Sequence, residues 1–450
     1  MKPLTIAVIG GNAAGAAAAA KAKRVNPQAR VVLFEKTDYI SVGVCEFPFV
    51  LSGEISDPAS LIFYTPEKFS EEKKVEVFIG SEVISVDTKE RVLTFTDKNS
   101  SGSIRMPYDR LIIATGSRQS EVAGLDAGLE NVLWLKKYPD LLRTKDFLDH
   151  KSPEHGIVIG SGYLGLEIAE ALVKRGMEVS IIEKESRVLP GAEPEFSGII
   201  GEILKEKQIA VYSGITTLSF ITDHRSVKSV KVGSRVLESN ALFPATGFRP
   251  DTRFIAGLDF RRGAFGEIIT DTFLRTSIPY VYAAGDSAGI KNFLTGKSQV
   301  FYSAKVAHNT GHIAGSNAAG KPEQFKGAIP VTSFRIFDNY FSQTGLTEKA
   351  AREHGFVVKT AFAIMPNLVH IMPEVSNTAA KLIINKLNKQ ILGASFLGAK
   401  EVSGFSDLIT FMIRNRMSYD IISETDFNYT PALSPFRNIL ISLKNKLDKG

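Results

Sequence analysis

Two stretches of the chain repeat one pattern of apolar and polar positions. The first runs from the apolar Thr5-Ile-Ala-Val-Ile9 through Gly10-Gly-Asn-Ala-Ala-Gly15 and an Ala/Lys segment to Val31-Val-Leu-Phe34 and Glu35. The second runs from Gly156-Ile-Val-Ile159 through Gly160-Ser-Gly-Tyr-Leu-Gly165 and a segment ending Lys174-Arg-Gly176 to Val179-Ser-Ile-Ile182 and Glu183. Each predicts strand, glycine turn, helix, strand, acid. The apolar runs are continuous, as strands buried on both faces of a parallel sheet require. The small residues Ala13 to Ala20 suit a helix packed closely on its sheet.

Each unit is followed by a similar closing phrase. Tyr108-Asp-Arg-Leu-Ile-Ile-Ala-Thr115-Gly116 ends the first, and Ala241-Leu-Phe-Pro-Ala-Thr246-Gly247 ends the second. A third apolar run, Val281-Tyr-Ala-Ala284, leads into Gly285-Asp286. Beyond Lys321 the pattern changes. Short alternating runs such as Val331 to Ile336 and Ala380 to Asn385, then an amphipathic stretch around Asp407 to Arg416, predict a separate α+β domain without a glycine turn of this kind. Asp97 to Ser103 reads as a polar hairpin turn.

Composition narrows the function. Hydrophobic residues make up 44% and charged residues 23%, as in an ordinary globular chain. The net charge of +6 is modest, and no clustered basic stripe suggests nucleic acid. No apolar run is long enough for a membrane span, and Met1 to Gly10 reads as a first strand rather than a signal peptide. Cys45 is the one cysteine in 450 residues. It cannot form an internal disulfide, and a lone thiol fits a reducing, cytoplasmic setting. No metal site is expected.

The glycine turns carry the clearest chemistry. A backbone that turns sharply and aims helix N–H groups outward cradles a dinucleotide pyrophosphate, and an acid about twenty residues on grips the ribose. Gly10, Ala14, Gly15, Glu35 and the adjacent Lys36 fill these places in the first unit. Asn12 stands where the middle glycine is usual, and Asn tolerates left-handed geometry better than most residues. The second unit is complete, with Gly160, Gly162 and Gly165, and Glu183 eighteen residues further on. An acid at Glu183 repels a 2′-phosphate and favours NADH, while Lys184 and Arg187 nearby suit NADPH.

With these residues in place, the chain resembles the flavin-dependent pyridine nucleotide–disulfide oxidoreductases over nearly its whole length. It is most similar to their single-cysteine branch of coenzyme A disulfide reductases, NADH oxidases and NADH peroxidases. The resemblance implies an α/β fold with two Rossmann-like dinucleotide-binding domains and a C-terminal α+β dimerisation domain. Residues 1–120 and 248–325 would bind FAD, 121–247 would bind NADH or NADPH, and 326–450 would pair two copies. It implies that Thr115, Gly116, Gly247, Gly285 and Asp286 line the cofactor, with Asp286 toward the flavin ribityl chain. It implies that Tyr163 covers the flavin on its nicotinamide side, with Glu167 beside that site. Cys45 would be the redox-active thiol, Tyr429 would reach a partner's active site, and Lys21, Lys23 and Arg24 would bind coenzyme A phosphates.

The implied reaction is NAD(P)H-driven reduction of coenzyme A disulfide, or a related persulfide or polysulfide, through a mixed disulfide on Cys45. Departures from the family leave two alternatives: an NADH oxidase, or an electron-transfer or redox-sensing flavoprotein serving a protein partner. Glu46 replaces a glycine after the cysteine and opposes a thiolate unless it points away. Val44 replaces a polar residue. Ala13 stands where oxidases and peroxidases of the family carry a histidine, which argues against peroxide chemistry.

Overall fold

A computed structural model describes residues 3–449, so Met1, Lys2 and Gly450, at the ends of the outer predicted segments, lie outside the described residues. The chain gathers into two compact units. One takes the residues up to Ser120, Trp134–Asp146 and Gly247–Ala328; the other takes Glu121–Leu133, Phe147–Thr246 and the residues from Ile329 on.

The first unit is built on a parallel five-stranded sheet. Its order is Val281–Ala283, Arg110–Ile113, Thr5–Ile9, Arg30–Phe34, Glu76–Phe78. The inner strands are the continuous apolar runs of the sequence, and Ile6, Val8, Val32, Leu33, Leu111 and Ile112 are fully buried. Each such side chain contributes about 1.5–3 kcal/mol of hydrophobic stabilisation. An antiparallel sheet of Ser81–Asp87, Val92–Asp97 and Ser103–Pro107 follows, closed by the predicted hairpin turn.

Helix Ala13–Val25 buries its alanines, but its closest neighbour is another helix rather than the sheet. A Cβ added to Gly311 or Gly315 of helix Ala304–Ala318 would stand 2.1 Å from the Ala14 carbonyl oxygen or 2.2 Å from that of Ala18. The alanine run is therefore explained by a helix–helix contact that only small residues allow on both sides.

The second unit holds a parallel four-stranded sheet ordered Ala210–Tyr212, Glu178–Ile182, His155–Ile159, Ala241–Pro244. It also holds an antiparallel five-stranded sheet ordered Val331–Ile336, Asn339–Gly345, Ile391–Gly398, Asn377–Asn385, Val358–Pro366. Helices Val402–Arg414 and Ile439–Lys449 accompany the latter, and Ile409, Leu440 and Leu443 are fully buried. One buried cation ties the two sheets' loops. Lys381 Nζ lies 2.8 Å from Glu193, 3.0 Å from Glu195 and 3.0 Å from Glu348. Burial alone would lower its pKa, yet the three carboxylates hold its proton well above the usual lysine range.

Candidate functional site

The first glycine turn is fixed by backbone geometry. Gly10 has φ +103°, a conformation that L side chains rarely adopt. A Cβ on Gly15 would stand 1.7 Å from the Gly10 carbonyl oxygen, so the helix can begin this close only with glycine there. The second turn repeats this, with Gly160 at φ +105° and a Gly165 Cβ at 2.0 Å from the Gly160 oxygen. Nothing lies within 4 Å of a Cβ on Gly162, leaving the open approach that a pyrophosphate needs. These two cradles fit dinucleotides by shape and by the N–H groups of a helix's first turn.

The two acids do more than wait for a ribose. Glu35 Oε2 accepts from Gly11 N–H at 2.8 Å, and Oε1 accepts from Thr37 N–H at 2.8 Å and Thr37 Oγ1 at 2.9 Å. Glu183 Oε2 accepts from Ser161 N–H at 2.8 Å and Ser161 Oγ at 2.6 Å, and Oε1 accepts from Glu185 N–H at 2.8 Å. Each carboxylate thus braces its own glycine turn and the loop after its own strand. The spacing from glycine to acid is a bracing distance as well as a ligand distance. Sequence reasoning missed this role, although the repetition of the motif was a usable signal.

Asn12 is not left-handed, contrary to the sequence expectation. Its φ of −94° is extended, and it caps the helix start without a side-chain cap bond. Its side chain instead reaches thirty residues along the chain, where Oδ1 accepts from Val42 N–H at 2.9 Å. Ser41 N–H donates to the Gly11 carbonyl at 3.0 Å. The glycine turn and the cysteine loop are therefore held by two adjacent bonds, and the amide that replaces the middle glycine supplies one of them.

Cys45 is exposed and stands just before Glu46, the N-cap of the short helix Phe47–Leu51. Upstream, Ser41 takes the left-handed φ of +50°. An antiparallel bridge of Val42 with Ile62, with Gly43 N–H donating to the Leu61 carbonyl at 2.9 Å, holds the loop from its other side. The Glu46 carboxylate folds over Gly43, where an added Cβ would meet Oε2 at 2.6 Å. The glycine missing after the cysteine is thus matched by a glycine two residues before it, which makes room for the carboxylate.

Asp286 lies in the turn Gly285–Ser287, where its Oδ2 accepts from Ser117 Oγ at 2.6 Å and lies 3.7 Å from Lys136 Nζ. Gly285 N–H donates to Thr310 Oγ1 at 3.1 Å. The Thr-Gly phrases meet: strand Ser117–Gln119 pairs antiparallel with Phe248–Pro250, and Ser120 N–H donates to the Gly247 carbonyl at 2.9 Å. Thr115 Oγ1 donates to the Asp251 carbonyl at 2.7 Å, and Asp251 N–H donates to the Gly116 carbonyl at 3.0 Å. Lys36 lies 3.7 Å from both Glu82 and Asp251. Burial, and then the charge of Lys36, push the neighbouring Lys137 down to about 8. Gly10, Asn12, Ala14, Gly15, Glu35, Lys36, Cys45, Thr115, Gly116, Gly247, Gly285 and Asp286 all belong to the first compact unit.

Gly160, Gly162, Tyr163, Gly165, Glu167, Glu183 and Tyr429 belong to the second. Tyr163 and Glu167 are half-buried one turn apart on helix Tyr163–Lys174. Burial first, and then the carboxylate of Glu170, push the Glu167 carboxyl up to about 8 from its ordinary 4.5, with Arg335 pulling the other way. Glu170 is engaged by Lys174 Nζ at 2.6 Å, Arg335 Nε at 3.0 Å and Phe337 N–H at 2.6 Å. A raised carboxyl stabilises the fold fully below the unfolded value and loses that contribution as pH rises through about 8. Glu167→Gln, permanently neutral, is expected to melt close to the parent near pH 4.5 and progressively above it as pH rises to 9. Thermal melts across this range check the sign, and a gap that does not widen with pH refutes it.

The predicted anion-binding residues divide. Lys23 Nζ donates to the Ala29 carbonyl at 2.8 Å and so closes its own helix end. Lys21 lies 3.6 Å from Glu323, and Arg24 is exposed. Tyr429 is 48% exposed, with its ring edge-on to Phe436 at 5.5 Å. Arg187 donates to the carbonyls of Pro190 at 3.3 Å and Ala192 at 3.2 Å, so it serves its own loop. Among the described residues no helix is long and apolar enough to cross a membrane.

Comparison with known proteins agrees with this geometry. Residues 4–311 match the family model described as pyridine nucleotide-disulphide oxidoreductase, and residues 331–438 match the dimerisation domain of the same description. The chain is 30% identical over 444 residues to an NAD(P)H sulfur oxidoreductase (CoA-dependent) of Pyrococcus abyssi, covering 98% of each chain. It is equally similar to an NAD(P)H coenzyme A polysulfide/persulfide reductase of Pyrococcus horikoshii, at 30% over 444 residues and 98% of each. Among solved structures, an NAD-dependent persulfide reductase from A. fulgidus superposes with a TM-score of 0.93 at 27% identity, covering 98% of this chain and 83% of that one.

Proposed function

Because the chain belongs to the pyridine nucleotide-disulphide oxidoreductases, we propose that it reduces coenzyme A disulfide, or a related persulfide or polysulfide, through a mixed disulfide on Cys45. The protein is an FAD-dependent NAD(P)H oxidoreductase. The substrate class is supported by the relatives named for coenzyme A-dependent sulfur and persulfide reduction. The observation that carries the reading is the attachment of the cysteine loop to the first glycine turn, through Ser41 with Gly11 and Val42 with Asn12.

Gly10, Asn12, Ala14 and Gly15 would hold the FAD pyrophosphate, Glu35 and Lys36 its ribose end, and Thr115, Gly116, Gly247, Gly285 and Asp286 its remaining length. Gly160, Gly162 and Gly165 would hold the nicotinamide dinucleotide, with Tyr163 and Glu167 at its reactive end. Glu183 repels a 2′-phosphate, and Arg187 is turned to its own loop, so NADH is the better fit. Bound FAD supplies the chemistry that passes an electron pair from NAD(P)H to sulfur.

The Cys45 thiolate attacks one sulfur of R–S–S–R′. The Cys45–S–S–R bond forms as R′–S⁻ leaves and takes a proton from solvent. With no second cysteine in the chain, the mixed disulfide has no internal thiol to resolve it and must await reduction. Pairing of two copies through the C-terminal domain belongs to the same proposal, with Tyr429 near the partner's thiol. The exposed Ile371 (89%), Leu433 (73%) and Phe436 (84%) support a covered surface. A cytoplasmic location is supported by the single cysteine, which has no second thiol in the chain to pair with.

Under anaerobic conditions, NADH and coenzyme A disulfide are expected to yield two coenzyme A thiols per NADH. Intact mass of the non-reduced protein should show a coenzyme A-sized adduct on Cys45. NADH oxidation that requires oxygen and releases no thiol would favour the oxidase. Inertness toward every small disulfide, with fast reduction of a purified protein partner, would favour the electron-transfer module.

A further inference from the structure

Two side chains close over Gly43 in the cysteine loop. Gly43 is buried, and a Cβ placed on it would stand 2.6 Å from Glu46 Oε2 and 3.0 Å from Phe63 Cζ. Glu46 reaches this place by folding back past Val44 and Cys45. Phe63 is set there by the backbone. Val42 bridges Ile62, Gly43 N–H donates to the Leu61 carbonyl at 2.9 Å, and Phe63 N–H donates to the Ser41 carbonyl at 3.1 Å. Phe63 is nonetheless exposed, as is Cys45. Glu46 is half-buried. Among the described residues no lysine, arginine or histidine pairs with its carboxylate, and no group donates a hydrogen bond to it.

We propose that Glu46 and Phe63 select which sulfur compound reaches Cys45. Phe63 gives an uncharged arm an apolar surface to lie on, and Glu46 repels any arm or sulfur chain that is negatively charged near the sulfur. This rests on the reading of Cys45 as the thiol that forms the mixed disulfide, and it narrows the substrate within that reading. Coenzyme A disulfide, whose phosphates lie at the far end of a neutral pantetheine arm, is accepted. Inorganic polysulfide, anionic along its own sulfur chain, carries a penalty.

The physical ground is proximity. Consecutive Cα atoms are about 3.8 Å apart, so a carboxylate that starts from Glu46 and ends at Gly43 stays within about 10 Å of the Cys45 sulfur. That is roughly the Debye length at 0.1 M salt, so the charge is felt at the thiol. A like charge at about 7 Å, in a dielectric between that of water and that of a protein surface, changes a rate by around three- to tenfold. An exposed aromatic ring covered in part by a substrate arm contributes a factor of about the same size. The thiolate fraction is common to all substrates at one pH, so it cancels when two of them are compared on one protein.

The test reads the FAD-loaded protein by alkylation and by turnover. Iodoacetamide and iodoacetate alkylate Cys45 with loss of iodide, one reagent neutral and the other anionic, and intact mass follows both. The iodoacetamide-to-iodoacetate rate ratio is expected to fall about three- to tenfold in Glu46→Gln. In the parent it should also fall as salt rises to about 1 M. Turnover with NADH is then compared for hydroxyethyl disulfide, dithiodipropionate and sodium tetrasulfide. Glu46→Gln is expected to raise kcat/KM for the two anionic substrates, relative to the neutral one, by the same factor. Phe63→Ala should raise the KM for coenzyme A disulfide about three- to tenfold, and Phe63→Leu should restore most of it. Neither should move the alkylation ratio. An alkylation ratio or a substrate ratio unmoved by Glu46→Gln overturns the charge selection. A KM that Phe63→Ala leaves in place, or that Phe63→Leu fails to restore, overturns the role of the ring. Charge-selective alkylation in a protein that reduces no disulfide supports the charge at the thiol and refutes the function proposed above. Reduction of coenzyme A disulfide, beside an alkylation ratio that Glu46→Gln leaves in place, does the reverse.

Discussion

Cys45→Ser is expected to lower NADH-dependent reduction of coenzyme A disulfide by at least about a thousandfold, the scale on which enzymes lose a covalent nucleophile. A serine hydroxyl at neutral pH is neither ionised nor able to form the mixed disulfide. Cys45 is exposed, and backbone bonds from Ser41, Val42 and Gly43 hold its loop, ties that a serine leaves in place. Rapid-mixing measurements should therefore find bleaching of the flavin by NADH within about twofold of the parent, while thiol release stops. Those two readouts separate a lost nucleophile from a damaged cofactor site. Turnover retained by the serine variant would end the proposed sulfur route, and loss of both readouts would show that the loop rather than the thiol had been disturbed.

Much of the architecture was legible because its physics is local. Parallel strands covered on both faces must be continuous apolar runs, and Thr5–Ile9, Arg30–Phe34, His155–Ile159 and Glu178–Ile182 are such runs. The glycine turns announce themselves because no other residue fits at Gly15 or Gly165. What stayed hidden depends on residues far apart in the chain. The bond of Asn12 to Val42 spans thirty residues, and its substitution looked like a backbone tolerance when it is a side-chain tie. The pairing of Ser117–Gln119 with Phe248–Pro250 joins the two Thr-Gly phrases across the inserted segment, and neither phrase alone signals it. Lys381 reaches carboxylates 188 and 186 residues away, at Glu193 and Glu195. Lys23 shows the limit of charge patterning: it shares a run with Lys21 and Arg24, but its ammonium turns to the Ala29 carbonyl. The acids Glu35 and Glu183 were found for one reason and hold the turns for another.

Gly15→Ala is expected to leave the purified protein with less than about a tenth of its flavin, read as the ratio of absorbance at the flavin band to that of protein. The added methyl would stand 1.7 Å from the Gly10 carbonyl oxygen, well inside any permitted contact, so the helix start or the turn has to move. Overpacking of this kind costs about 1–3 kcal/mol in stability. The larger effect is on function, because a displacement of about 1 Å at a preorganised site is worth around a hundredfold. Gly11 N–H, which Glu35 holds at 2.8 Å, and the Ser41 and Val42 bonds to the same turn would shift with it. Gly162→Ala is the matched control. Its Cβ meets nothing within 4 Å, and its φ of −66° suits alanine, so flavin content should be unchanged. The methyl would instead narrow the approach to the second turn and raise the KM for NADH about tenfold or more, the scale of a lost contact worth roughly 1.4 kcal/mol. Equal flavin loss in both variants would mean that the two cradles are not separate sites for separate dinucleotides. A flavin-replete Gly15→Ala protein would mean that the first turn does not hold the flavin.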